Sequence, residues 1–143
     1  MTVSPPPVPA TSSIIRPALA LLAGLGITAL IVGPGVIIAT LAMLRGVDPR
    51  TFQPSSANLV VYLVINAAGA FAGGLAAARI TAGRSFFTVF LLALVLFMSA
   101  MVVVLRGGDT PSRPKWYLIA QAVAVLVFSL LGGVLERRRQ ASG

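Results

Sequence analysis

The stretch ANLVVYLVINAAGAFAGGLAAA, residues 57–78, decides the fold of this chain. It contains no Asp, Glu, Lys or Arg, and its length suits a helix of ~20 residues crossing ~30 Å of hydrocarbon. Three further stretches share these properties, at residues 17–44, 86–105 and 116–135. Lipid offers no partner for backbone polar groups, so each stretch must satisfy its own hydrogen bonds as a helix. The sequence therefore predicts an all-α integral membrane bundle of four transmembrane helices.

The composition also points to a membrane protein. Hydrophobic residues make up 57% of the 143 residues and charged residues 10%, whereas an ordinary soluble domain is about 25% charged. The net charge is +8, and the three acidic residues lie in loops or at helix ends. In a membrane protein such a basic excess orients the chain and meets anionic headgroups. The predicted partners are therefore membrane lipids, and nucleic acid is not among them.

The chain divides into three predicted parts. Residues 1–13, MTVSPPPVPATSS, predict a disordered Pro-rich tail, because consecutive prolines favour an extended conformation. Residues 14–136 predict the four-helix transmembrane domain, and residues 137–143 predict a basic C-terminal tail. The four spans of that domain are predicted at about 17–44, 57–79, 85–106 and 115–136.

Several classes of chemistry lack the residues they need. The sequence has no Cys and no His, which excludes disulfides, thiolate metal sites and imidazole proton carriers. No carboxylate lies inside a predicted span, which argues against the proton relay of a coupled pump. Ser99 and Ser129 have no His or Lys at membrane depth to activate them. We therefore predict no catalytic, cofactor-binding or metal site, and a protein that is not an enzyme.

Gly33-Pro34-Gly35 interrupts the first span near its middle. Proline removes one backbone hydrogen bond, and the flanking glycines ease a bend. The span would also reach ~42 Å as a straight helix at ~1.5 Å per residue, which is longer than the hydrocarbon thickness. We expect a kinked, tilted helix. The alternative is a broken helix whose freed carbonyl groups line a ligand or ion site.

Small residues at four-residue spacing predict close helix packing, because lipid supplies no hydrophobic drive between helices and small residues let backbones approach. The predicted packing residues are Gly69, Ala70, Gly73, Gly74, Ala78, Gly132 and Gly133. The pair Gly69 and Gly73 forms a GxxxG motif, which suits either homodimerisation or packing against spans one or four. Packing within the chain is favoured, because a four-helix bundle needs such a face.

Asn66 and Gln121 place amide groups inside spans two and four. They are expected to face one another and to share an interhelical hydrogen bond worth ~0.6–2 kcal/mol. The alternative is a polar site for a headgroup or small solute, formed by the two amides together with Gly33, Pro34 and Gly35. The hydroxyl groups of the spans are expected to bond the carbonyl one turn back; they are Thr28, Thr40, Ser99 and Ser129.

The two halves of the chain resemble each other. LRGVD at residues 44–48 matches LRGGD at 105–109, and YLVINA at 62–67 matches YLIAQA at 117–122. A glycine pair follows in each half, at residues 73–74 and 132–133. A two-span repeat preserves chain direction, so the pattern indicates two hairpins related by an axis along the membrane normal. Chance similarity between apolar segments is the alternative.

Aromatic and basic residues mark the predicted membrane boundaries and the orientation. Tyr62, Trp116 and Tyr117 are predicted interface anchors, as are Arg137, Arg138 and Arg139 after span four. Six basic residues lie on the side of the termini and five on the other side, where Asp48 and Asp109 also lie. This bias favours both termini in the cytoplasm.

The run NAAGAFAGGLAAARI at residues 66–80, with PKWY at 114–117 and LGG at 131–133, resembles a loose group of small bacterial four-helix inner-membrane proteins of uncharacterised function. The resemblance implies a multi-pass location in a bacterial inner membrane and carries over no catalytic residue. The small multidrug transporters have a similar size, but their pattern includes a Glu in the first span, and this chain has none there.

Two functional hypotheses remain open at this point. The first is a structural or accessory protein that packs with itself or with a larger membrane complex through small-residue faces. The second is a small transporter or lipid-handling protein with a mid-membrane cavity at the two amides. An exposed glycine and alanine stripe favours the first hypothesis. A cavity into which both amides point favours the second.

We expect Arg137, Arg138 and Arg139 to hold the C-terminus at the cytoplasmic face, since each basic residue near an anionic leaflet contributes ~1 kcal/mol. A reporter fused to the C-terminus should report a cytoplasmic location in the wild type, and replacing all three arginines by Gln should give a mixed orientation. An external wild-type C-terminus would contradict the predicted topology. A uniform orientation in the variant would show that these arginines do not decide it.

Overall fold

The computed structural model describes residues 11–46, 48, 51–81, 86–106 and 113–142. These residues form four helices, α1 (Thr11–Met43), α2 (Ser56–Ile80), α3 (Phe86–Arg106) and α4 (Lys115–Ala141). Each of the four is long and apolar enough to cross a membrane. The predicted all-α bundle of four transmembrane helices is therefore confirmed.

α1 is one continuous helix that contains both Pro17 and Pro34. The prediction of a helix through Gly33-Pro34-Gly35, rather than two separate pieces, agrees with this finding. The helix begins at Thr11, so the last three residues of the predicted N-terminal tail are helical. The rest of that predicted tail, residues 1–10, lies outside the described part of the chain.

α2 and α4 differ at their ends. The Ser55 side chain caps α2 by accepting a hydrogen bond from the Asn58 N–H at 3.3 Å. α4 continues to Ala141 and so includes the three arginines that the sequence assigned to a tail. Arginine has a high helix propensity, and a positive charge in the last turn offsets the negative end of the helix dipole. The helix therefore extends past the apolar span.

The chain is arranged as two hairpins, α1 with α2 and α3 with α4, which meet mainly through α2 and α4. Because α3 runs back across the bundle, α2 and α4 are parallel. α2 also packs along α1, so it has a neighbour on two sides, whereas no Cα atoms of the described parts of α1 and α4 lie within 8 Å of each other. This arrangement of the helices fits the predicted repeat of two similar hairpins. The duplication itself stays a prediction.

Glycines allow α2 and α4 to meet backbone to backbone. Gly74 of α2 lies against the carbonyl of Ser129, and Gly132 of α4 lies against the carbonyl of Phe71. A Cβ atom at either glycine would collide with that carbonyl oxygen. These contacts fix how closely the two central helices approach.

The opposite face of α2 packs as closely on α1. Gly73 lies against the backbone of Gly24, and Gly69 lies near the carbonyl of Thr28. The Thr28 hydroxyl donates to the carbonyl of Gly24 at 2.8 Å and lies 3.3 Å from the carbonyl of Gly69. The predicted GxxxG pair is thus used inside the bundle, against the first helix.

The bundle is tight at one end and loose at the other. At the end that carries the two termini, the core is formed by Ala77, Ala78, Val89 and Leu92. All buried residues of α3 lie in its first half, between Thr88 and Ala93. The second half of α3 covers the remaining helices less closely, and a separate small core of Leu59, Tyr117 and Leu118 forms near the connecting loops. The loosely packed end is therefore the one at which α1 is joined to α2 and α3 to α4, which we call the loop end.

The outer surface is apolar. Large hydrophobic side chains are exposed along every helix, for example Leu30, Val64, Phe87 and Val123. A soluble monomer rarely exposes continuous apolar patches larger than a few hundred Å². Such a surface suits a lipid surrounding, and with the four long apolar helices it defines a multi-pass integral membrane protein.

Replacing Gly74 by Ala should destabilise the bundle by ~1–3 kcal/mol, because the new methyl group forces α2 and α4 apart at the Ser129 carbonyl. Gly26→Ala is the matched control, since nothing lies within 4 Å of a Cβ atom there. The free energy of unfolding can be measured by titrating mixed micelles with sodium dodecyl sulfate. Equal stability of the two variants would contradict the close contact.

Candidate functional site

A cavity of about 500 Å³ lies between the four helices at the loop end of the bundle. Its polar lining consists of Thr40, Tyr62, Asn66, Arg113, Tyr117 and Gln121. Its apolar lining includes Val32, Val36, Leu59, Ala100, Val103 and Leu118, and two loop residues, Phe52 and Pro54. The cavity combines a polar strip from α1, α2 and α4 with apolar walls that include both lining residues of α3.

The two amides predicted from the sequence meet at this cavity. Gln121 Nε2 donates to Asn66 Oδ1 at 3.3 Å, and Asn66 Nδ2 donates to the backbone carbonyl of Tyr62 at 2.7 Å. The expectation that Asn66 and Gln121 face one another is confirmed. Asn66 lies ~15 Å along α2 from Ser56, close to the middle of that helix. Both amides also line the cavity, as the alternative prediction of a polar site requires.

A second pair of side chains joins α1 to this polar strip. The Thr40 hydroxyl is 2.8 Å from the Tyr62 hydroxyl and also donates to the carbonyl of Val36 at 2.7 Å. Tyr62 therefore connects α1 to the amide pair through its hydroxyl and its carbonyl. The strip runs from Thr40 through Tyr62 and Asn66 to Gln121, and it links three helices.

The predicted interface aromatics have different surroundings. Trp116 is exposed at the start of α4, where a boundary residue is expected. Tyr117 is buried and lines the cavity, and its ring lies 6.1 Å from that of Trp116 in an edge-to-face contact. Tyr62 is half-buried and turned inward by its bond to Thr40. Both tyrosines thus belong to the polar lining of the cavity.

Arg113 is a member of the site for which the sequence predicts only a place among the five basic residues opposite the termini. It is exposed and lines the cavity, just before α4 begins. Arg113 precedes α4, so the four-residue spacing that puts Tyr117 and Gln121 on one face of the helix does not extend to it, and the sequence has no local signal for its position at the cavity. Arg113 puts a positive charge at the rim of the cavity.

Gly33, Pro34 and Gly35 do not line this cavity. Gly33 and Pro34 are exposed on the outer side of α1, and a Cβ atom at Gly33 would meet nothing within 4 Å. Gly35 packs on Ile65 of α2. The neighbouring Val32 and Val36 face the cavity instead. The structure therefore brings the two amides together without the proline segment.

The remaining hydroxyl groups are satisfied mainly within their own helices. Thr28, Thr40 and Ser99 each donate to the carbonyl one turn back, as predicted, at 2.8, 2.7 and 2.8 Å. Ser129 differs, because its Oγ is buried without a hydrogen-bond partner. Its backbone carbonyl is the group against which Gly74 packs.

An ion pair between an exposed arginine and a buried glutamate lies at the opposite end of the bundle. Arg79 Nε and Glu136 Oε1 are 3.1 Å apart, and the Glu136 side chain is 9% exposed whereas that of Arg79 is 62% exposed. Gln140 Nε2 lies 3.5 Å from the same Glu136 oxygen. The sequence predicts Glu136 at the end of a span, and its burial is a finding of the structure. Within the described residues, no group of three or more His, Cys, Asp or Glu could hold a metal ion.

Comparison of this chain with protein-family models, with curated proteins and with solved structures returned no match. The fold and the site define the class, a multi-pass integral membrane protein with a polar cavity at one end of a four-helix bundle. The resemblance to small bacterial inner-membrane proteins stays a prediction.

The hydrogen bond between Asn66 and Gln121 should appear in a double-mutant cycle. With Asn66→Leu, Gln121→Leu and the double variant, we expect a coupling free energy of ~0.6–1.7 kcal/mol, the range of interhelical hydrogen bonds in membranes. Asn66→Leu combined with Ser99→Ala is the control and should be additive, because Ser99 bonds within α3. A zero coupling free energy for the amide pair would argue against the bond.

Proposed function

We propose that this protein is a non-enzymatic integral membrane protein that holds a small ligand in the cavity between its helices, as a lipid-handling protein or small transporter does. The observation that carries the proposal is the cavity itself, with both intramembrane amides in its wall. Polar side chains inside a membrane are costly, and they are found at substrate pathways and helix contacts. Here the same two amides form the helix contact and line the cavity.

The surface proposed for self-association is already occupied. Ala70 and Ala78 are buried, and Gly69, Gly73 and Gly74 lie against α1 or α4. The glycine pair of α4 is used in the same way, since Gly132 packs on α2 and Gly133 on Val89 of α3. The small-residue stripe therefore offers no free face to a second copy, which supports the cavity hypothesis over the packing hypothesis.

The dimensions of the cavity support a small ligand. Its volume of about 500 Å³ lies within the range of ~300–1,000 Å³ found for ligand sites. Its lining combines apolar walls with a few placed polar groups, which is the usual composition of such sites. The ligand that suits this lining has one polar end and one apolar part.

The cavity reaches the loop end of the bundle, where the exposed Arg113 lies at its rim. With both termini in the cytoplasm of a bacterial cell, this end faces outward across the inner membrane. The opposite end is closed by the glycine contacts and by the core of Ala77, Val89 and Leu92. Transport would require that packed end to open, so holding or presenting a ligand from one side fits this arrangement better.

Filling the cavity should remove the ligand. Ala100→Phe adds a ring to the cavity wall, whereas Ala68→Phe adds the same ring to the exposed side of α2. We expect a small molecule to co-purify in mild detergent with the wild type and with Ala68→Phe, and to be lost from Ala100→Phe, as measured by mass spectrometry of solvent extracts. Identical extracts from all three proteins would contradict ligand binding in the cavity.

A further inference from the structure

We infer that the cavity selects an anionic amphiphile with a single chain, whose headgroup binds between Arg113 and Gln121. This inference rests on the proposed function and names the class of ligand. Among the described residues that line the cavity, Arg113 is the charged one, and no carboxylate accompanies it. A carboxylate or phosphate group is the natural partner of a guanidinium group.

Arg113, Tyr117 and Gln121 follow one another at four-residue intervals on the cavity side. From Tyr117 to Gln121 they lie on one face of α4, and Arg113 precedes the helix at the rim. This row lines the path from the rim, where the guanidinium group lies, to the amide group deeper in the cavity.

Hydrogen-bond donors are available deeper in the cavity, on Asn66 and Gln121. An amide side chain has two N–H donors, and the bonds described above use one on Asn66 and one on Gln121. The second N–H of each amide is suited to an anionic oxygen that carries no proton of its own. A positively charged headgroup would be repelled by Arg113 and could not accept hydrogen bonds from these N–H groups.

The apolar part of the ligand has walls from three helices. The apolar side chains that line the cavity come from α1, α2 and α3; they are Val32, Val36, Leu59, Ala100 and Val103. α1 and α3 are held together at the packed end, where Leu92 lies against Gly24. A volume of about 500 Å³ suits one acyl chain or part of one, and it is small for a lipid with two chains.

The test is a displacement experiment on the full chain, with cis-parinarate as the probe, a single-chain carboxylate that fluoresces. Trp116, the sole tryptophan, adjoins Tyr117 of the cavity and can serve as the energy-transfer donor. We expect oleate to displace the probe. Monoolein, which is neutral, and dodecyltrimethylammonium, which is cationic, should require about tenfold higher concentrations, as the loss of a charge-assisted hydrogen bond implies.

Substitutions of Arg113, the charged residue at the rim, should change the affinity for oleate. Arg113→Gln should weaken oleate binding about tenfold, for the same reason. Arg45→Gln removes an equal charge at the same end of the bundle, outside the cavity lining, and should bind oleate as the wild type does. Arg113→Lys should restore most of the affinity because it keeps the charge. Arg113→Lys thus distinguishes a lost contact from a misfolded variant.

The other outcomes overturn the inference in recognisable ways. Equal displacement by monoolein and oleate, or equal binding by the Arg113→Gln and Arg45→Gln variants, refutes the anionic class. Displacement by inorganic phosphate alone at the concentration of oleate shows that the tail is not recognised, and it refutes the amphiphile. If Ala100→Phe blocks the probe while charge makes no difference, the proposed function stands and this inference fails. If Ala100→Phe and Ala68→Phe bind the probe equally, the proposed function fails as well.

Discussion

The backbone contact between α2 and α4 is the constraint on which the rest of this structure depends. In lipid, two apolar helices gain little by touching unless their backbones come close enough for extensive van der Waals contact. Gly74 at Ser129 and Gly132 at Phe71 provide that approach. The position of every polar pair between the two helices follows from it, because the register that brings these glycines against their carbonyls also brings Asn66 opposite Gln121 and Arg79 opposite Glu136.

The same contact explains why the bundle has room for a ligand at one end. Glycines and alanines become frequent in α2 after Asn66, and the large side chains Leu59, Tyr62 and Leu63 precede it. Small residues draw the helices together toward the termini, and bulky residues hold them apart toward the loops. α3 shows the same change along its length, because its buried residues all lie in its first half. They are Thr88, Val89, Leu92 and Ala93. Polar groups can be accommodated where the helices diverge.

The sequence predicts the number, length and apolar character of the helices, because hydropathy over ~20 residues is a strong signal. It also predicts the meeting of Asn66 and Gln121, because they occupy matching places in the two halves. Apart from the small-residue stripe of α2, it does not predict which faces turn inward, since large side chains toward lipid and toward protein are equally apolar in a membrane bundle. For that reason the burial of Glu136 and the inward position of Tyr117 were not foreseen. The cavity depends on the shallow burial of the second half of α3, for which the sequence has no local signal.

The partition of contacts between the two hairpins has a consequence for biosynthesis. When only α1 and α2 have entered the membrane, Gly73 can already pack on α1. Gly74 and the Asn66 Oδ1 atom still lack their partners on α4 and face lipid. Their partners, Ser129 and Gln121, lie on α4 and are made after the first three helices. The first hairpin alone therefore lacks the backbone partner of Gly74 and the hydrogen-bond donor to Asn66 Oδ1, and α4 supplies both. α2 therefore presents, before α4 is made, the surface against which α4 will pack.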